Sequence, residues 1–201
     1  MIRHWTRKSA LLLASVLLLP AIPVPGAQES AAHLRLPNLA GQEVEVFPPG
    51  EDKAAVFIFV ATDCPISNRY APEVRRLYEE FASRHVAFYL VYAGRKETVE
   101  AIRHHLEAFK YPLGVLRDPE HRLLEMTGAE VTPEAVVFAL ADSSPRMAYR
   151  GRIDNLYVDF GKSRRAPTTH DLEDVLNKVL AGKPLTLQTT RAIGCFIPKL
   201  P

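Results

Sequence analysis

Two unbroken apolar runs, residues 54–60 (AAVFIFV) and residues 86–92 (VAFYLVY), constrain the fold most strongly. Neither run has helical spacing, and runs of this length are typical of strands buried on both faces of a sheet. The segment between them carries Val74, Leu77 and Phe81 at helical spacing. A strand, a helix and a second strand in this order predict two parallel strands of an α/β sheet.

The second half of the chain predicts a change to antiparallel pairing. Residues 135–140 and 147–153 flank the turn residues ADSSP, a pattern that indicates a hairpin. Residues 171–181 have a regular apolar stripe and predict the last helix, with Thr169 as its N-cap and Gly182 at its end.

Single residues and polar segments predict the helix boundaries and the loops. Pro72 predicts a kink or a restart in the first helix, and Thr98 predicts the N-cap of a second one. Residues 154–167 predict a polar loop, and the segment after Gly182 has no helical period. We therefore expect an α/β fold, a central mixed β-sheet with helices on both faces, followed by a C-terminal extension.

Charge and cysteine content exclude several classes of protein. With 25 Lys and Arg against 23 Asp and Glu, the 201-residue chain has a net charge of +2, too little for an electrostatic nucleic-acid binder. Two cysteines are too few for a structural zinc site. The adjacent His104 and His105 would point about 100° apart on a helix and could not share one metal. We expect no metal site and no cofactor.

The first 26 residues have the pattern of a secretory signal. Arg3, Arg7 and Lys8 precede an apolar run over residues 10–19, which is half the length needed to cross a membrane. Cleavage after Gly26 would leave a periplasmic or secreted protein. The alternative is an uncleaved segment that acts as a membrane anchor.

Cys64 has the position expected of a reactive thiol. It follows the first buried run and precedes the first helix, where backbone N–H groups favour a thiolate. Pro65 is tolerated at the first helical position, and the hydroxyl of Ser67 lies one turn away, where it could donate to the sulfur. The alternative is a buried, inert cysteine.

These residues also carry a resemblance to a known family. TDCPIS followed by Ala71-Pro72, together with Val131-Thr132-Pro133 before the hairpin, resembles the thioredoxin superfamily. The nearest branch is that of secreted redoxins, which are like alkyl hydroperoxide reductase and thiol-specific antioxidant proteins. The resemblance covers residues 33–182. It implies a thioredoxin-like fold with Cys64 as nucleophile, and a cis peptide bond at Pro133.

The resemblance further implies a substrate groove. Pro65, Thr132 and Pro133 would line it, and the strand beside Cys64 would present its backbone to an extended substrate. The expected partners are a protein or small-molecule disulfide, or a peroxide, together with an external thiol reductant.

Four positions depart from the family pattern, and the first is Ile58, which stands where many thioredoxins have a buried acid. Ser67 stands where thioredoxins have their resolving cysteine, and Asp63 replaces the usual aromatic residue before the nucleophile. Ala61 stands where peroxiredoxins have Thr or Ser. We therefore favour thiol–disulfide exchange over the alternative, peroxide reduction. A non-catalytic binding module, or a structural module locked by a Cys64–Cys195 disulfide, also stays open.

The tail, residues 183–201, carries the second cysteine, Cys195. The thirteen residues from Gly182 to Cys195 span up to about 45 Å when extended. A domain of this size has a radius of gyration of about 16 Å, so the tail can reach Cys64. We predict that Cys195 is the resolving cysteine; the alternative is that it pairs with another protein or stays free.

Overall fold

Both apolar runs are strands in the computed structural model, which describes Met1 and residues 33–140, 144–184 and 186–200. They pair in parallel, with Ala54 opposite Val86. Every residue of the strand Ala54–Val60 is buried, as expected for a strand covered on both faces. In chain order the strands are β1 (Arg35–Pro37), β2 (Glu43–Glu45), β3 (Ala54–Val60), β4 (Val86–Tyr92), β5 (Gly114–Arg117), β6 (Val131–Thr132), β7 (Glu134–Ala139), β8 (Arg146–Gly151), β9 (Tyr157–Asp159), β10 (Lys162–Ser163), β11 (Gln188–Thr189) and β12 (Cys195–Phe196).

The helices begin and end largely where local sequence directs. The hydroxyl of Thr98 accepts the N–H of Ala101 at 3.1 Å, which confirms the predicted N-cap. The first helical segment is split at Tyr70, because Pro72 has no N–H to continue the hydrogen-bond ladder. The predicted restart is confirmed. The helices are α1 (Pro65–Arg69), α2 (Ala71–Phe81), α3 (Val99–Phe109), α4 (Arg122–Thr127) and α5 (Asp171–Leu180), with a 3-10 turn at Ala82–Arg84.

The central sheet has six strands in the order β11-β8-β7-β3-β4-β5. β3, β4 and β5 are parallel, whereas β7 runs antiparallel to both β3 and β8. The predicted hairpin and the mixed sheet are thus confirmed. Since β3 and β4 are parallel neighbours, the loops that follow them meet at the same edge of the sheet, and Cys64 lies in the first of these loops.

The side chains of β3 alternate between two cores. Ala54, Val56, Ile58 and Val60 pack with apolar residues of α2, α3 and α5 on one face. Ala55, Phe57 and Phe59 pack on the other face with α4 and with residues around β1 and β2, namely Leu34, Leu36, Val46 and Phe47. Helices therefore cover both faces, as predicted.

Several local features differ from the sequence prediction. His170 rather than Thr169 is the N-cap of α5, and the Thr169 hydroxyl donates to Asp171 instead. The predicted polar loop contains the short antiparallel pair β9 and β10. The tail adds β11 parallel to β8 and β12 antiparallel to β6.

Two points concern the N-terminus and membranes. The predicted signal segment, residues 1–26, lies outside the described residues apart from Met1. Among the helices that the structure describes, none has the length and apolar character needed to span a bilayer.

Candidate functional site

Cys64 is the N-cap of α1 and is 1% exposed. Its Sγ accepts the backbone N–H of Ser67 at 3.4 Å, in the manner of a capping side chain. On its other side, the thiol donates to the carbonyl oxygen of Thr132 at 3.0 Å. The sulfur is thus buried among backbone groups, one of which would stabilise a negative charge on it.

Cys195 lies against Cys64 although 131 positions separate them. In the antiparallel pair of β6 and β12, Cys195 is opposite Thr132, and the Thr132 hydroxyl donates to the carbonyl of Cys195 at 3.5 Å. The two Sγ atoms are 2.7 Å apart and both cysteines are free thiols. A disulfide bond measures about 2.05 Å, so the sulfurs are in close contact without being bonded.

The environment of Cys195 favours its protonated thiol form. Partial burial raises the pKa of the Cys195 thiol, and the hydrogen bond with Cys64 raises it further. The negative charges of Cys64 and Asp63 act in the same direction. Cys195 is therefore the protonated member of the pair whenever Cys64 carries the charge.

The other predicted residues lie next to these contacts in the chain. Pro65 is the first residue of α1, and the Thr132–Pro133 peptide bond is cis, as the resemblance implied. Ser67 contacts Cys64 through its backbone N–H. Its buried hydroxyl has no hydrogen-bond partner among the described residues, so the predicted donation to the sulfur is not made in this structure.

Glu97 is a residue of this region that the sequence analysis missed. It lies in the loop after β4, and its carboxylate accepts the N–H of Thr62 at 2.8 Å and that of Gly94 at 3.2 Å. Burial raises the pKa of Glu97, although both N–H groups oppose the shift. The carboxylate thus ties the loop before Cys64 to the neighbouring loop. The sequence did contain a signal for this role, because Glu97 follows β4, and the loops after the parallel strands β3 and β4 meet at one edge of the sheet.

A groove of about 540 Å³ opens beside Cys195. Residues 93–97, residues 195–199 and Asp63 line it, as do Val60, Ala61 and Thr132. We call it the Cys195 groove. Cys195 is partly exposed and belongs to its wall, whereas Cys64 does not. Of the two cysteines, a ligand that enters this groove therefore meets Cys195.

One cluster elsewhere has metal-ligating side chains. Ligand atoms of Glu73, Asp154 and His170 lie within 4.8 Å of one another. Both carboxylates already have partners, since Arg76 donates to Glu73 and the Tyr70 hydroxyl donates to Asp154 at 2.6 Å. The cluster is explained by these contacts between helix α2 and its surroundings.

Solved structures share this architecture. An uncharacterized conserved protein from Geobacillus kaustophilus is 23% identical and gives a TM-score of 0.70, over 86% of this chain and 92% of its own. A hypothetical protein from Sinorhizobium meliloti 1021 is also 23% identical, with a TM-score of 0.69 over 84% and 91%. A thioredoxin-like protein from Aeropyrum pernix is 18% identical, with a TM-score of 0.53 over 73% and 89%. These similarities confirm the thioredoxin-like fold.

Sequence comparison gives the family. No curated protein matches the chain. The model of the AhpC/TSA family matches residues 27–149, which is more than half of the chain and includes Cys64, Thr132 and Pro133. The match supports an oxidoreductase or peroxidase activity. The chain therefore belongs to the AhpC/TSA family, within the thioredoxin superfamily.

Proposed function

We propose that the protein is an extracytoplasmic thiol–disulfide oxidoreductase in which Cys64 is the nucleophile and Cys195 the resolving cysteine. The observation that carries the proposal is the 2.7 Å separation of the two Sγ atoms. Ser67 stands where a local resolving cysteine would be, and the tail instead brings the Cys195 thiol into contact with the Cys64 sulfur.

The oxidative half-reaction starts at Cys64. Its thiolate attacks one sulfur of the substrate disulfide, which forms a mixed disulfide and releases the other substrate sulfur as a thiolate. The N–H of Ser67 stabilises the Cys64 thiolate before attack. Cys64 is 1% exposed, so the substrate reaches it when Cys195 and Phe196 move away from β6.

Cys195 completes the exchange. Once Cys64 is in a mixed disulfide it carries no charge, which removes one of the causes that raise the pKa of Cys195. The Cys195 thiolate then attacks Sγ of Cys64 and forms the Cys64–Cys195 disulfide. The second substrate sulfur leaves as a thiolate and takes up a proton. Two electrons have passed to the substrate, and an external thiol reductant restores both thiols.

The location and domain division belong to the same proposal. Residues 1–26 serve as a signal peptide, and the family match begins at residue 27, directly after the predicted cleavage site. Residues 33–182 form the redoxin domain, and residues 183–201 form the tail. In this proposal Pro65, Thr132 and Pro133 line the substrate groove; of these three residues, only Thr132 also lines the Cys195 groove. Disulfides persist outside the cytoplasm, in keeping with a redox pair of this kind.

Peroxide reduction is the second candidate, favoured by family membership. In that reaction the Cys64 thiolate attacks a peroxide oxygen and becomes a sulfenic acid while an alcohol or water leaves. Cys195 then attacks the Cys64 sulfur, water leaves, and the same disulfide results. Ala61 offers no hydroxyl in the position where peroxiredoxins have one, which places this candidate second.

Turnover of a synthetic disulfide peptide, with dithiothreitol as reductant, tests the proposal. We expect Cys64→Ser to abolish turnover, and Cys195→Ser to lower it at least 100-fold while a mixed disulfide accumulates on Cys64. Turnover that survives Cys64→Ser would overturn the assignment. Hydrogen peroxide consumption that exceeds peptide turnover, with sulfenic acid trapped on Cys64, would instead favour the peroxidase. A disulfide that resists dithiothreitol would indicate the structural module.

A further inference from the structure

We infer that an external thiol reduces the Cys64–Cys195 disulfide by attacking Sγ of Cys195 through the Cys195 groove, not by attacking Cys64. This inference rests on the proposed function, because it concerns the reduction of the disulfide that the exchange reaction forms. It assigns the contact with the reductant to the tail cysteine.

The exposure of the two cysteine residues supports this assignment. Cys64 is 1% exposed, with the Ser67 N–H, the Thr132 carbonyl and Cys195 around its sulfur. Cys195 is partly exposed and forms part of the wall of a groove of about 540 Å³. In disulfide exchange the attacking thiolate must reach one sulfur in line with the bond, so accessibility selects Cys195.

The tail is held over Cys64 by backbone contacts on both sides of Cys195. Phe196 pairs with Val131, and the N–H of Ile197 donates to the carbonyl of Glu130 at 2.9 Å. Gly194 lies so close to Thr132 that a Cβ at this glycine would be 2.1 Å from the Thr132 carbonyl oxygen. In the disulfide state a covalent bond adds to these contacts, and Cys64 stays covered.

The stability of the leaving thiolate also favours attack on Cys195. The external thiolate forms a bond to Cys195 Sγ as the Sγ–Sγ bond breaks, and Cys64 leaves as a thiolate that accepts the Ser67 N–H. A stabilised thiolate leaves faster. A second thiol then attacks the external sulfur of this mixed disulfide, and Cys195 leaves and takes up a proton. Two thiols are oxidised to one disulfide, and two electrons reach the cysteine pair.

Rapid mapping of the first adduct tests the inference. The oxidised full-length chain is mixed with 2-mercaptoethanol, quenched in acid after milliseconds, digested with pepsin and analysed by mass spectrometry. We expect the 2-mercaptoethanol adduct on the Cys195 peptide in at least tenfold excess over the Cys64 peptide. An adduct found mainly on Cys64, or equally on both, would overturn the inference.

A control on the oxidised protein distinguishes a failure of this inference from a failure of the proposed function. Peptide mapping before the thiol is added shows whether Cys64 and Cys195 are linked. If they are linked and the adduct is on Cys64, the inference is wrong and the oxidoreductase proposal stands. If mild oxidation never links them, both are wrong.

Discussion

Cys195 lies opposite Thr132 in an antiparallel strand pair, and this register places a tail cysteine over the sulfur of the candidate nucleophile. The pair is only two residues long on each strand. This short pair nevertheless brings the two cysteines together, because Thr132 contacts both of them. The Thr132 carbonyl accepts from the Cys64 thiol, and the Thr132 hydroxyl donates to the carbonyl of Cys195. A short strand thereby joins two thiols that are distant in sequence.

Gly194→Ala should lift the tail from Cys64. A Cβ at Gly194 would lie 2.1 Å from the carbonyl oxygen of Thr132, which is backbone and cannot rotate away. We expect iodoacetamide to alkylate Cys64 at least tenfold faster when Gly194→Ala is added to a Cys195→Ser background. Gly50→Ala is the matched control, because a Cβ there meets nothing closer than 4.0 Å. Equal rates in all three proteins would show that the tail does not cover Cys64.

Glu97→Ala should destabilise the fold by about 1–3 kcal/mol, because it leaves the N–H groups of Thr62 and Gly94 without their acceptor. Glu97→Gln retains an oxygen acceptor and should cost less. Urea unfolding measures the difference. Glu107→Ala, an exposed glutamate on α3, should change stability by less than about 0.5 kcal/mol. A loss in Glu97→Ala no larger than this would contradict the role of Glu97 in joining the two loops.

Asp118 should make stability depend on pH. Burial raises the pKa of this carboxyl from 3.8 to about 6, despite the N–H that Leu124 donates to it. Between about pH 4 and 6 the folded state keeps a proton that the unfolded state has released. The free energy of unfolding therefore falls as the pH rises through this window, by up to about 3 kcal/mol from this group. Asp118→Asn should flatten the decline in urea unfolding measured from pH 4 to 7; an unchanged slope would assign it to other groups.

The charge of the reductant should affect its rate. The Cys195 groove has one cation in excess, since three cationic side chains and two carboxylates line it: Arg95, Lys96, Lys199, Asp63 and Glu97. Among the described residues, no salt bridge includes any of the three cations. At equal thiolate concentration, 3-mercaptopropionate should reduce the disulfide several-fold faster than 2-aminoethanethiol, and added salt should shrink the ratio. Lys199→Gln should lower the ratio, whereas Lys183→Gln, outside the groove, should not. A ratio of one at low salt would show that the groove does not discriminate by charge.

Much of the sheet was predictable because its signals are local. The apolar runs of β3 and β4 are long enough to identify buried strands, and the ADSSP turn identifies the hairpin of β7 and β8. The position of Cys64 followed from the same logic, since a strand precedes it and Pro65 begins a helix after it.

The contacts of the tail could not be predicted in this way. β11 and β12 have two residues each and no period of their own, and β12 pairs with a strand 63 residues earlier in the chain. The length of the tail permitted contact between Cys195 and Cys64 but did not specify how β12 would align with β6. Gly194 was the one local signal, since a glycine beside a cysteine permits close approach to another backbone. The N-cap of α5 also differed, because Thr169 bonds to Asp171 rather than to the helix backbone.

Non-reducing peptide mapping tests the central claim, that Cys64 and Cys195 form one redox pair, most directly. The full chain is equilibrated in glutathione buffers of increasing oxidised fraction, quenched in acid, digested and analysed by mass spectrometry. Our account predicts that a peptide linking Cys64 to Cys195 appears with a single midpoint and disappears on reduction. It would be contradicted if the two cysteines were never linked at any poise, or if each became glutathionylated without the other.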